Sequence, residues 1–470
     1  MSGVLVVGGG PAAHRLAERL RRYGYEGAVT VVGAEPRAPY NRALLGSVLD
    51  GTLDAGRLTL PGLPSDVRVL TGTRVTGVDR AARTVRTGDG REFGYDTLVL
   101  ATGARPRTPP VPGLTDGAGR LAEGVRTVRT AADCRPLSEG PAVVLGGGLR
   151  GVETAAALRR AGHEVALVHP GDRPLSRHLD AAGGAVLAEW LRSRGVALHL
   201  GVRVAEYARG KVVLDDGRVL AAGTVLLCAG SVPDTGLARS AGLPVREGVV
   251  VDSRLRSADP RVHALGDCAQ RADLPGATVL GAWEQADALA RILTGKDLLY
   301  RDGRQVLRPR TPGMNLVVLP PDAGGDEDGD ETVTLRDPAG GRYARLVLRG
   351  ARLRHGLVIG SARAVAAVSR LYGGDAPVPS DLLALLTGAD GTYAGAGEPP
   401  EDAVVCHCNN VTRKALKDAW RAGARDTGAL GRATRATTGC GSCAPVVRQL
   451  CAALAREAVS GPAPAEGGTR

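Results

Sequence analysis

One phrase of this 470-residue chain is written twice. "VLVVGGGPAAHRLAERLRRYG", from Val4, returns 138 residues later as "AVVLGGGLRGVETAAALRRAG", from Ala142. Gly8 falls on Gly146, Gly10 on Gly148, Ala13 on Gly151 and Gly24 on Gly162. Each copy is a short apolar run, a glycine turn and about a dozen residues at helical spacing. A second apolar run follows, "AVTVVGAE" in the first copy and "EVALVHPG" in the second. That is a strand–helix–strand unit laid down twice, the pattern that cradles a dinucleotide. The first glycine allows the tight turn, the second lets backbone approach a pyrophosphate, and the third lets helix pack on strand. The helix N-terminus then offers free N–H groups to the phosphates. One such turn is weak evidence, since any strand–helix turn can be glycine-rich. Two in phase predict two dinucleotide sites.

Three later segments share one logic. "TLVLATGARPRTPP" (Thr97 to Pro110) and "TVLLCAGSVPDTGLA" (Thr224 to Ala238) are buried strands ending in small residues. "DPRVHALGDCAQ" (Asp259 to Gln270) ends its strand at Gly266 and Asp267. With "EPRAPYNRALL" (Glu35 to Leu45), these residues resemble the two-dinucleotide flavoproteins of glutathione reductase type, in the ferredoxin and rubredoxin reductase branch. The resemblance implies an α/β fold: two Rossmann-like dinucleotide-binding domains, a small α/β domain and a small all-helical [2Fe–2S] domain.

It also implies site residues. FAD would be bound through Gly8, Gly10, Ala13 and Asp267, with Glu35 on the adenosine ribose and Arg42, Thr102 and Gly103 as neighbours. "GAWEQADALA" (Gly281 to Ala290) matches the segment opening the last helix beside the flavin, which places Trp283, Glu284 and Gln285 along the ring. NAD(P)H would lie on Gly146, Gly148, Gly151 and Glu153. An acid closing "EVALVHPGDR" would argue for NADH and an arginine for NADPH. His169 holds the position, with Arg173 four residues on, so the local chemistry is ambiguous; the broader resemblance favours NADH. No catalytic residue is assigned, because hydride transfer depends on stacking and orientation.

Disulfide reductases of this kind need a cysteine beside the flavin, yet residues 36 to 60 contain none. Cys134, Cys228 and Cys268 stand alone and read as small hydrophobes. The electrons must leave by another route. Four of the eight cysteines lie near the C-terminus, in "VVCHCNNVT" (Val404 to Thr412) and "TTGCGSCAPVV" (Thr437 to Val447). Cys406, Cys408, Cys440 and Cys443 offer four thiolates from two loops, which suits a [2Fe–2S] cluster or zinc; spacing alone does not choose. The segment resembles the bacterioferritin-associated ferredoxin-like [2Fe–2S] module, which implies the cluster, with Cys451 left in the core of the last helix.

The expected layout is an FAD-binding domain (1–112 and 241–304), an NAD(P)H-binding domain (113–240) and a small α/β domain (305–387). A Gly/Ala/Pro-rich linker (388–403), the cluster module (404–458) and a tail (459–470) complete it. In sister flavoproteins the small domain supports the flavin site or a homodimer contact. Its acidic run "DAGGDEDGDE" (Asp322 to Glu331) reads as a solvated hairpin loop. The net charge is +11, but the arginines are dispersed and only one Phe and three Trp are available to stack on bases, which argues against nucleic acid. No apolar run approaches the ~20 residues that span a bilayer. The first residues lack the marks of a signal peptide, so a cytoplasmic protein is expected.

The same domain order occurs in the large subunit of assimilatory NAD(P)H nitrite reductases and in the electron-transfer subunit of assimilatory nitrate reductases. The resemblance therefore implies a chain that oxidises NAD(P)H and passes electrons through FAD and the cluster to a separate catalytic reductase subunit or another redox acceptor. The sirohaem-bearing part of nitrite reductase has no counterpart here, so reduction of nitrite by this sequence alone is not expected. Two alternatives stay open: the flavin subunit of an amino-acid or amine dehydrogenase complex, and a zinc-bound docking protein without catalysis.

Overall fold

The computed structural model describes residues 3–271, 274–275, 278–321, 328–387, 401, 403–406, 409, 411–438 and 443–459. The expected linker falls almost wholly outside the described residues, as do Cys408, Cys440 and the tail beyond residue 459.

Apolar strands such as Gly3–Val7 and Ala142–Leu145 are buried along their whole length, as parallel strands covered on both faces must be. The first sheet places Val262–Ala264, Thr97–Leu100, Gly3–Val7, Ala28–Val32 and Val67–Leu70 side by side, all parallel. The second sheet repeats the plan with Val125–Thr127, Thr224–Leu227, Ala142–Leu145, Val165–His169 and Val196–Leu200. The duplication reaches beyond the phrases that reveal it, because each half also carries a three-stranded antiparallel meander, Val75–Gly94 in one and Val204–Ala222 in the other. Ala104–Pro106 pairs with Ser231–Pro233 where the chain crosses between the halves.

Helix Pro11–Arg22 shows how pattern becomes packing. Ala13, Leu16, Ala17 and Leu20 recur at i, i+3, i+4 and i+7, and all four are fully buried. Their face meets Ala286, Leu289 and Ala290 of helix Val279–Leu293 in one apolar cluster. A buried leucine there is worth about 2 kcal/mol of transfer free energy.

Residues beyond 305 form a four-stranded antiparallel sheet in the order Leu316–Leu319, Arg352–Ile359, Arg342–Arg349, Asp330–Asp337, with helix Ala362–Gly373 packed into its core. Residues 322–327 of the acidic run lie outside the described residues, but the strands on either side of it do not pair as a hairpin. The strands flanking it lie at opposite edges of the sheet, because the later strands insert between them. Among the described residues the cysteine module has three helices, Arg413–Arg421, Thr427–Thr434 and Ala444–Val459. It is not all-helical, since Val404–Cys406 pairs with Val411–Thr412 before the first helix. Among the described residues no helix is long and apolar enough to cross a membrane.

Candidate functional site

The central strands of both sheets end at one cleft of about 1450 Å³. Ten of the fifteen expected binding residues line it: Gly8, Gly10, Glu35, Arg42, Thr102, Gly103 and Asp267 from the first half, Gly146, Gly148 and Glu153 from the second. The cleft thus sits where chain connections diverge on either side of a central strand, the place where open α/β sheets bind ligands.

The turns have the shape of phosphate cradles. Gly8 (φ +128°) and Gly146 (φ +116°) occupy backbone conformations open to glycine, and a Cβ would lie 2.0 Å from the Ala101 carbonyl oxygen and 2.4 Å from that of Cys228. At Gly10 an added Cβ would meet nothing nearer than Arg42 Nε at 4.0 Å, and at Gly148 nothing within 4 Å. The second glycine of each turn leaves open space on the cleft side. Both helices that start there, Pro11–Arg22 and Leu149–Arg160, lack a side-chain cap and an acid in the first turn. Among the described residues, Asp180, Thr278, Ser361, Thr412 and Asp426 each cap another helix. Omitting a cap costs about 1 kcal/mol, and the free N–H groups suit an anion.

Polar contacts fix the first half's wall. Glu35 pairs with Arg42 and accepts a hydrogen bond from the Tyr40 hydroxyl at 2.7 Å. Burial pushes the Tyr40 phenol up to about 12, so it stays a donor. The Arg42 guanidinium lies over the Tyr40 ring at 4.7 Å and donates to the Arg129 carbonyl at 3.2 Å. Arg129 in turn pairs with Asp267 and donates to the Ala104 carbonyl at 3.1 Å. Sequence reading missed Arg129; its position 138 residues from Asp267 carries no local signal. Thr102 Oγ1 donates to the Asp234 carbonyl at 2.6 Å, tying the two halves together.

Four of the five remaining residues stand behind the wall. Ala13 is fully buried, and Gly151 leaves no room for a Cβ, which would lie 1.7 Å from the Gly146 carbonyl oxygen. Trp283 and Gln285 were expected along the flavin ring, but they do not line the cleft. The phase of helix Val279–Leu293 turns both inward: Trp283 Nε1 donates to the Pro11 carbonyl at 3.2 Å, and Gln285 Oε1 accepts from Gly266 N at 2.7 Å. Thr278, Val279, Leu280 and Ala282 face the cleft instead, and Glu284 is exposed. In the second half Glu153 accepts from Arg310 N at 2.8 Å.

Cys406 and Cys443 are buried in one apolar cluster with Val411, Leu416, Trp420 and Leu430. Thr437 N donates to the Cys443 sulfur at 3.3 Å, a contact that favours a thiolate. The same cluster contains Tyr40, Leu44, Leu45, Leu53 and Leu58, so the module packs on the stretch where a disulfide reductase would carry its thiol. Arg435 clamps it by donating to the Arg57 and Thr59 carbonyls. Asn409 joins the parts: its amide donates to the Arg435 carbonyl at 2.7 Å and the Thr438 hydroxyl at 3.3 Å, and its Oδ1 accepts from Asn41 at 3.2 Å. Asn41 precedes Arg42 and Ala43, which face the cleft, and its Oδ1 caps Ala43 N at 3.0 Å. Cys451 packs at the edge of this cluster. Cys228 and Cys268 are buried, and burial pushes the thiols of Cys134 and Cys228 up to about 12 and about 11.

Residues 2–288 match the pyridine nucleotide-disulphide oxidoreductase family. The chain belongs to that family. It is an FAD-dependent NAD(P)H oxidoreductase. Residues 404–453 match the BFD-like [2Fe-2S] binding domain, so of the two metal centres that the cysteine spacing admits, the oxidoreductase carries the iron–sulfur cluster. Nitrite reductase [NAD(P)H] of Bacillus subtilis (strain 168) is 28% identical over 466 residues, 95% of this chain and 57% of that protein. The assimilatory nitrate reductase electron transfer subunit of the same organism is 27% identical over 471 residues, 95% of this chain and 59% of that one. The oxidoreductase thus spans little more than half the length of either. Among solved structures, the covalent putidaredoxin reductase–putidaredoxin complex matches with a TM-score of 0.73 and 28% identity, over 83% of this chain and 96% of that one.

Proposed function

We propose that this chain draws electrons from NAD(P)H and delivers them to a separate catalytic reductase of the assimilatory nitrate or nitrite type. FAD, when bound, accepts a hydride from the nicotinamide, and the [2Fe–2S] cluster supplies a one-electron outlet. The observation that supports this most is the seating of the cysteine module on residues 40–58, through Asn409, Asn41 and the shared apolar cluster. The flavin cleft has no thiol on that wall and has a one-electron carrier domain packed behind it.

In this reading residues 1–112 and 241–304 hold FAD, and residues 113–240 hold NAD(P)H. Gly8, Gly10 and the helix behind them take the FAD pyrophosphate, Glu35 the adenosine ribose and Asp267 the ribityl chain, with Arg129 positioning Asp267. Gly146 and Gly148 take the nicotinamide dinucleotide, and Cys406, Cys408, Cys440 and Cys443 hold the cluster. The nitrate and nitrite reductase relatives, matched along nearly all of this chain, support the choice of acceptor.

Stopped-flow bleaching of the flavin tests this reading. NAD(P)H should bleach it within the mixing and turnover times, amino acids should not, and iron and acid-labile sulfide should each approach about two per chain. Bleaching by an amino acid alone would replace this function with that of a dehydrogenase flavin subunit.

A further inference from the structure

The two halves of the cleft end their second strands differently. Where the first half presents Glu35, the second presents His169, whose ring packs over Gly147 and meets the Ser176 hydroxyl at 3.1 Å. The neighbouring lining residues from the two loops beside it are Ser176, Arg177, His178 and Arg203, with no carboxylate among them. The loops are pinned together by Gly201 N donating to the Gly171 carbonyl at 2.9 Å. Arg173, the basic residue singled out by sequence, does not reach the cleft: it pairs with Asp172 and donates to the Leu179 carbonyl. Arg177 does, and its charge adds to burial in pushing the His169 imidazole below its ordinary value, against the opposing charge of Asp172. Among the described residues neither the Arg177 nor the Arg203 guanidinium has an ion-pair or hydrogen-bond partner. Both are exposed.

We infer that this subsite is built for the 2′-phosphate of NADPH, received by Arg177 and Arg203 beside His169, and that the chain prefers NADPH to NADH. The inference rests on reading Gly146 and Gly148 as the nicotinamide dinucleotide turn. An acid at the end of the second strand selects a ribose 2′-hydroxyl and would repel a phosphate, whereas arginine accepts phosphate through paired N–H donors. This chain has the second arrangement, against the NADH preference that broad resemblance suggests.

The test uses the full-length holoprotein. Anaerobic flavin bleaching should give NADPH a kcat/KM about tenfold or more above NADH, carried by KM, and the advantage should shrink as salt is added. Arg177→Ala and Arg203→Ala should each cut the NADPH/NADH ratio about tenfold, the worth of a charge-assisted hydrogen bond. His169→Asp should reverse the preference. Calorimetry should show 2′,5′-ADP binding more tightly than 5′-ADP to the native protein but not to the double arginine variant. Equal or better use of NADH, or a ratio unmoved by either arginine substitution, overturns the inference. If the calorimetric preference and its arginine dependence hold while neither coenzyme bleaches the flavin, this subsite stands and the proposed electron flow falls.

Discussion

The two glycine turns are copies with the same strand order, the same positive φ at the first glycine and the same uncapped helix. They differ at the third position and at the end of the second strand. Gly151 is required because a Cβ there would lie 1.7 Å from the Gly146 carbonyl oxygen, whereas the first copy carries Ala13 at the matching place. Glu35, pinned by Tyr40 and Arg42, faces the first half, and His169 faces the second, with Arg177 and Arg203, whose guanidinium groups have no partner among the described residues. In the proposed reading, backbone geometry makes both halves dinucleotide sites, and a few side chains at the strand ends decide which dinucleotide each holds.

The largest expected effects come from breaking one turn and sparing the other. Gly8→Ala forces a Cβ against the Ala101 carbonyl in a positive-φ position, at a cost of about 3 kcal/mol or more. The purified variant should lack flavin absorbance and melt earlier. Gly146→Ala makes the equivalent clash with Cys228, yet its product should keep the yellow flavin while NAD(P)H bleaching falls about a hundredfold. If both variants lost flavin alike, the halves would not be separate sites.

An intermediate effect tests the join between the first half and the module. Asn409→Ala removes the link from the cysteine loops to Asn41, so electron delivery to a protein acceptor should drop about tenfold while NAD(P)H still bleaches the flavin. Glu35→Gln keeps the hydrogen-bond geometry but discards the charge, and should weaken FAD retention about tenfold in a dilution assay.

Much of this was legible in the sequence for a physical reason. A strand, a glycine turn and a helix are written within some thirty consecutive residues, and the four cysteines within 38. What was not legible depends on distant partners. Asn41 and Asn409 are 368 residues apart, and neither looks unusual locally. Trp283 and Gln285 sit in a segment correctly placed beside the cleft, but helical phase sends them to Pro11 and Gly266. The acidic run reads as a hairpin because it lies between two strands, yet sheet order separates those strands.

The smallest effect expected is at Cys134. Its thiol lies against the Leu45 carbonyl, and burial, reinforced by Asp133, pushes it up to about 12. A group raised in this way is neutral at pH 8 and ionises only near its shifted value, so alkylation should run about a hundredfold slower than for a free cysteine. Cys134→Ala should leave turnover within about twofold, because in the proposed function the electrons leave through the cluster and not through this thiol.

The central claim is that flavin electrons leave through the docked module. An anaerobic NADPH titration followed by absorbance and low-temperature electron paramagnetic resonance tests it most directly. The signal of a reduced [2Fe–2S] centre should rise as the flavin band falls, and it should lag in Asn409→Ala. A flavin that bleaches completely while the cluster stays oxidised, with acceptor reduction unimpaired, would contradict it.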